Sequence, residues 1–131
     1  MVKILDASAL MVYLEKQSGY EKVEDLLAKA AETERDLLIS AVNWGEVCYI
    51  SLKNHGQEGM EKAVHLIGTF PVEVVSVDSD IAQQAALFKI QRKLPYVDCF
   101  AAALAKLRKG ELVTTDKDFK AVEAEIKIVW V

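Results

Sequence analysis

Long apolar runs are missing from this chain of 131 residues. None approaches the roughly 20 consecutive residues that a helix needs to cross a bilayer, so no membrane span is expected. The first apolar segment, Val2-Lys3-Ile4-Leu5, is cut short by Asp6, which does not suit a signal peptide. A cytoplasmic location is therefore the expectation. Cysteine is scarce as well: Cys48 and Cys99 lack the close Cys or His partners of a zinc site, and both read as buried thiols in helices. His55 and His65 lie far apart on polar stretches and fit no ligand or triad pattern. An excess of basic charge is also absent. The net charge is −4, which argues against a general nucleic-acid coat protein but not against an enzyme that acts on nucleic acid.

What is present is alternation. Short β-branched runs at Val2–Leu5, Leu37–Ile39, Val72–Val77, Leu112–Thr114 and Ile126–Trp130 read as strands. Between them, helical patterns cover Ala7–Leu14, Tyr20–Thr33, Ala41–Asn54, Gly56–Thr69, Ser79–Lys93 and Tyr96–Lys109, with a short turn of helix near Asp118–Val122. This pattern predicts an α/β fold with a mainly parallel five-stranded sheet flanked by helices on both faces. A hydrophobic fraction of 52% suits a sheet covered on both sides. No repeat, linker or low-complexity tract divides the chain, so residues 1–131 form a single domain. Ser40 and either Asp78 or Ser79 are placed to cap helices, Pro71 marks entry to the third strand, and Gly110 reads as a helix stop. The stretch Lys53–Gly59 is expected to be a flexible loop.

Four acids stand where apolar burial is expected. Asp6 follows the first strand, Glu46 lies in the helix after the second, Asp98 opens the helix before the fourth, and Asp116 follows the fourth. A carboxylate against apolar surface costs free energy unless a positive charge compensates it, and no Lys or Arg is embedded to neutralise all four. A divalent ion is the simplest counter-charge. In a parallel sheet, groups at the carboxyl ends of strands collect beside the point where strand order reverses, so residues distant in sequence can meet there. An all-oxygen set favours Mg²⁺ or Mn²⁺ over zinc, and such ions serve phosphodiester cleavage.

Each acid also has a purely structural reading: Asp6 and Asp98 as helix N-terminal residues, Asp116 as a turn residue, Glu46 on a solvated face. Ser8 and Thr114 are spaced to orient carboxylates by hydrogen bonding, although Ser8 also suits a helix start and Thr114 a strand. Asp118 is either an outer acid of the same site or, as the preferred reading, the cap of the short helix that carries Phe119. Lys117, Lys120 and Arg92, with Lys89 and Lys93, are candidates for steering phosphate and equally ordinary surface cations. Tyr13, Leu14 and Tyr49 suit either a contact surface or the core.

Taken together, Ile4-Leu5-Asp6-Ala7-Ser8, Glu46 in Asn43-Trp44-Gly45-Glu46-Val47, Asp98-Cys99-Phe100-Ala101-Ala102-Ala103 and Thr114-Thr115-Asp116-Lys117-Asp118-Phe119 resemble the PIN-domain ribonucleases, especially the small VapC-type toxins of toxin–antitoxin pairs. The resemblance spans essentially the whole chain. It implies a PIN-like fold and metal-dependent hydrolysis of RNA at a shared acidic cavity. Asp6, Glu46, Asp98 and Asp116 match the family's acidic quartet, while Ser8 and Thr114 match its accessory hydroxyls. It implies a homodimer and a small antitoxin partner. Cys99 departs from the small Ala common at that place, which bears on packing. A phosphohydrolase with Asp6 as nucleophile would want a second acid where Ser8 stands. A phosphoacceptor domain would want paired acids after the first strand. A PIN-like module that binds RNA or a protein partner and cleaves little is the remaining alternative.

Overall fold

The computed structural model describes residues 1–131. Five strands run β1 (Lys3–Leu5), β2 (Leu37–Ser40), β3 (Val72–Val75), β4 (Glu111–Thr114) and β5 (Lys127–Trp130). They form one sheet in the order β3-β2-β1-β4-β5. Every pairing is parallel. The sheet is thus wholly parallel, where the sequence suggested mainly so. The chain steps outward from β1 to β2 and β3, then returns to the other side of β1 for β4 and β5. Strand order therefore reverses between β1 and β4, and a crevice opens there at the carboxyl ends.

Five helices complete the domain: α1 (Ala7–Leu14), α2 (Tyr20–Thr33), α3 (Ala41–Gly68), α4 (Ser79–Arg92) and α5 (Tyr96–Leu107), with a 3-10 helix at Lys117–Val122. Side chains alternate across each strand and feed two separate cores. Ile4, Leu38 and Leu112 pack with Ile81, Phe88, Leu104 and Phe119 on the α4–α5 face. Leu5, Leu37, Ile39 and Val113 pack with Leu10, Val23, Leu27 and Val47 on the α1–α2–α3 face. Helices cover both faces, as expected of a parallel sheet whose strands are apolar on both sides. Residues Ala101–Ala105 are all buried. Four of these five are alanine, which lets α5 lie close against the sheet.

The caps form as anticipated. Ser40 Oγ accepts from the Asn43 amide at 3.1 Å, and Asp78 Oδ1 accepts from the Ile81 amide at 2.9 Å. The expected loop at Lys53–Gly59 does not form. Instead α3 consists of two helical segments that meet at a kink at Gly56, with φ 72° and ψ −173°, where the sequence divided them. One glycine suffices because its missing Cβ admits positive φ. Lys53 and Asn54 before it and Gln57 and Glu58 after it are good or tolerable helix residues.

Gly110 is also used differently from expectation. The left-handed residue after α5 is Lys109, at φ 51°. Gly110 is small because a Cβ there would sit 2.6 Å from the Val2 carbonyl oxygen and 2.5 Å from Ile4 Cδ1. Glu111 N–H donates to the Val2 carbonyl at 2.8 Å immediately afterwards, so the close approach starts the β1–β4 register. The expectation of two buried thiols holds for Cys99, whereas Cys48 is only half-buried. No helix is long and apolar enough to cross a membrane.

Candidate metal centre

Asp6 leaves β1 at the reversal crevice and caps α1. Its Oδ1 accepts from the Ala9 amide at 2.9 Å and from Ser8 Oγ at 2.8 Å. Its Oδ2 accepts from Thr114 Oγ1 at 2.6 Å. The residue is 2% exposed. Burial is the main influence on its carboxyl and raises its pKa from 3.8 to about 6, against the opposing pull of Thr114, Ala9 and Ser8. Ser8 Oγ also lies 3.0 Å from Oδ2, sharing its proton between the two oxygens.

Thr114 serves two strands' worth of chemistry. Besides donating to Asp6, its Oγ1 accepts from the Asp116 amide at 2.9 Å, and it lies 3.2 Å from Ser8 Oγ. Ser8 Oγ in turn accepts from the Thr115 amide at 3.1 Å. The two hydroxyls therefore stitch the end of β1 to the end of β4. Sequence spacing placed Ser8 and Thr114 to orient the carboxylates; both hydroxyls bond Asp6, and Thr114 also holds the Asp116 backbone.

Asp116 caps the 3-10 helix, its Oδ1 accepting from the Asp118 amide at 2.9 Å. The capping role expected of Asp118 thus belongs to Asp116. Asp118 is exposed, and its carboxylate joins those of Asp98 and Asp116, with oxygens within 4.8 Å of one another. Asp98 comes from the first turn of α5. Its Oδ2 is buried without a hydrogen-bond partner. The Asp116 carboxyl is near enough to compete for a proton, yet no bond of ordinary geometry forms between the two. Burial, then repulsion from Asp116 and Asp6, with a smaller part from Glu46, raises the Asp98 pKa from 3.8 to about 7. Glu46, half-buried on α3, is also raised, first by burial and then by Asp116.

The four sequence-selected acids therefore lie within one another's electrostatic reach. Mutual repulsion among carboxylates, one of them with an orphaned buried oxygen, is the state that a cation relieves. The donor set is all oxygen, which fits a hard divalent ion. Of the cations considered, Arg92 is committed to Glu125 at 2.9 Å, and Lys89 Nζ donates to the Leu94 carbonyl at 2.9 Å. Lys117 and Lys120 are exposed beside the acids. His55 pairs with Glu15 at 2.9 Å, away from the acids. Tyr13 stacks edge-on against Phe70, whereas Tyr49 is 61% exposed.

Sequence reasoning missed Asn43. It is 1% exposed, completes the Ser40 cap and donates from Nδ2 to the Val97 carbonyl of α5 at 3.1 Å. The Ser40-x-x-Asn43 spacing carried the signal, since a residue three after a cap is placed to answer it.

A parallel α/β sheet here brings carboxylates from the end of β1, α3, α5 and the end of β4 to its reversal crevice, an all-oxygen arrangement compatible with a divalent cation. The PIN domain family matches residues 3–125, and the chain belongs to that family, one of nucleases. Among solved structures it is similar to a chain of VapBC2 from Rickettsia felis bound to a promoter DNA fragment, with 17% identity, TM-score 0.79, and 100% and 99% of the two chains covered. It is also similar to DNA-bound VapBC from Salmonella typhimurium, at 18% identity and TM-score 0.78 over 98% and 97% of the chains. A third is VapC20 of Mycobacterium tuberculosis, a toxin that cleaves the sarcin–ricin loop, at 18% identity and TM-score 0.74 over 92% and 94%. No curated protein gives a significant match.

Proposed function

We propose that this protein is a Mg²⁺- or Mn²⁺-dependent endoribonuclease, and the toxin of a toxin–antitoxin pair. The observation that carries the reading is the buried, unpartnered Oδ2 of Asp98 among carboxylates that raise one another's proton affinity. Asp98, Asp116 and Asp118 would hold the ion, with Asp6 adding its charge and Glu46 completing the set from α3. When bound, the ion supplies charge compensation and Lewis acidity at a phosphodiester.

The chain's own residues do the rest. Ser8 and Thr114 fix Asp6 and the Asp116 backbone, so the carboxylates are arranged before substrate arrives. Lys117 and Lys120, exposed next to the acids, draw the RNA phosphate towards the crevice. Arg92, engaged with Glu125, is withdrawn from that role.

The likeness to VapBC complexes supports a small antitoxin as partner, and the family resemblance supports a homodimer acting in the cytoplasm. The decisive experiment incubates the purified protein with structured RNA in Mn²⁺, Mg²⁺ or chelator, beside Asp98→Asn. Cleavage is expected with either ion, giving 5′-phosphate and 3′-hydroxyl ends, and none with chelator or the variant. Intact RNA under every condition would leave a module that binds without cutting. Cleavage that persists in chelator would remove the metal from the account.

A further inference from the structure

Two helices bring acids to the crevice from opposite faces of the sheet, and nothing in the acids themselves holds those helices together. Glu46 sits on α3 and Asp98 on α5, and each is pushed away from the other by charge. The sheet fixes where α3 begins, through β2 and Ser40. The first turn of α5 follows Pro95, which offers no side-chain cap.

Asn43 spans this gap. Its backbone amide donates to Ser40 Oγ at 3.1 Å, and Ser40 Oγ donates back to its Oδ1 at 2.5 Å. That exchange orients the side-chain amide, and Nδ2 reaches the Val97 carbonyl at 3.1 Å. Val97 immediately precedes Asp98, and Asn43 lies three residues, nearly one turn, before Glu46. Ser40 is fully buried and Asn43 is 1% exposed, so water does not substitute for these bonds. The Nδ2 donor has one hydrogen-bond partner, the Val97 carbonyl beside Asp98.

We infer that Asn43 is a positioning residue that sets the separation of Glu46 and Asp98 and thereby tunes how tightly the acidic crevice holds its cation. This rests on the metal-dependent reading above, and extends it to a residue that touches neither ion nor substrate. Removal of partners that orient ligands characteristically weakens metal binding by about 10–100-fold.

The test uses Asn43→Ser, which keeps a hydroxyl for Ser40 but is too short to reach Val97, with Asn43→Ala as the fuller truncation. Asp78→Ala is the matched control, since it removes a helix cap of the same kind on α4. Mn²⁺ binding is measured by calorimetry on the RNA-free protein, and backbone hydrogen exchange is measured in parallel without metal. Asn43→Ser is expected to lose about tenfold in Mn²⁺ affinity, with Asp78→Ala unchanged at a similar loss of melting temperature. In a Glu46→Gln background, the same Asn43→Ser change should cost less than about twofold, because its effect passes through Glu46.

Exchange in α5 should quicken roughly fivefold in Asn43→Ser, as the loss of one buried hydrogen bond implies, while α4 stays protected. Equal Mn²⁺ affinity in Asn43→Ser and Asp78→Ala, or an undiminished loss in the Glu46→Gln background, overturns the inference. So does unchanged exchange in α5. If wild-type protein binds no Mn²⁺ while exchange in α5 responds to Asn43, the cation reading falls and the link between the helices stands.

Discussion

Asp98→Asn is an isosteric change that should make the metal-free protein more stable, and only at the upper end of the pH range. The Asp98 carboxyl sits at about 7 in the fold against 3.8 in the unfolded chain. A group raised in this way favours its neutral form in the native state. Its contribution is complete below about 3.8, declines as pH rises and is gone above about 7. Each unit corresponds to about 1.4 kcal/mol, which bounds the effect near 4 kcal/mol. Asp98 is only half-buried and shares its proton equilibrium with Asp116, so solvent screening and coupling reduce this to ~2 kcal/mol. About three-fifths of that loss, roughly 1.2 kcal/mol, falls between pH 5 and pH 8. For a chain of this length it amounts to ~4 °C in melting temperature. Asparagine cannot ionise, so the variant escapes the loss, while Asp6 remains in both proteins and largely cancels. Thermal unfolding at pH 5 and pH 8 in excess chelator reads the difference directly. The gap between variant and wild type should widen by ~4 °C in favour of the variant at pH 8. A variant equally displaced at both pH values, or one that falls further behind at pH 8, would refute the electrostatic account of the crevice.

Mn²⁺ at 100 times its dissociation constant should stabilise wild-type protein by about 2.7 kcal/mol, and Asp116→Asn should lose nearly all of that shift in the same melts. Thr114→Val removes the donor to Asp6 and the acceptor for the Asp116 amide. It should cost about 2 kcal/mol at pH 8, and less at pH 5, where Asp6, at about 6, is already largely neutral; denaturant titration at the two pH values checks this. Gly110→Ala forces a Cβ to within 2.6 Å of the Val2 carbonyl and should cost about 1–3 kcal/mol by the same titration.

Much of the fold was legible because its signals are local. The start of α1 after Asp6, the Ser40 and Asp78 caps and the apolar runs of β2 and β4 each declare themselves within a few residues. The quartet of acids was legible for the opposite reason, since each has a local reading but their joint placement beside apolar runs has none. What escaped depended on neighbours from elsewhere in the chain. Gly56 breaks α3 alone, because its flanks favour helix more than the polar composition of Lys53–Gly59 suggested. Gly110 reads as a stop signal until the Val2 carbonyl is placed against it. Asp118 was assigned a cap that Asp116 supplies, and so its membership of the acidic group was undervalued. The role of Asn43 needs α5 in position before it has any meaning.

The strand order has a temporal side. Only Asp6 and Glu46 precede the second half of the chain, and β1 has to wait at the middle of the sheet for β4 to arrive beside it. Asp98, Asp116 and Asp118 lie within 21 residues of one another near the other terminus. A growing polypeptide therefore carries an unfinished crevice until β4 and the turn after it have left the ribosome, and the surroundings in which it is made are spared whatever the completed site can do.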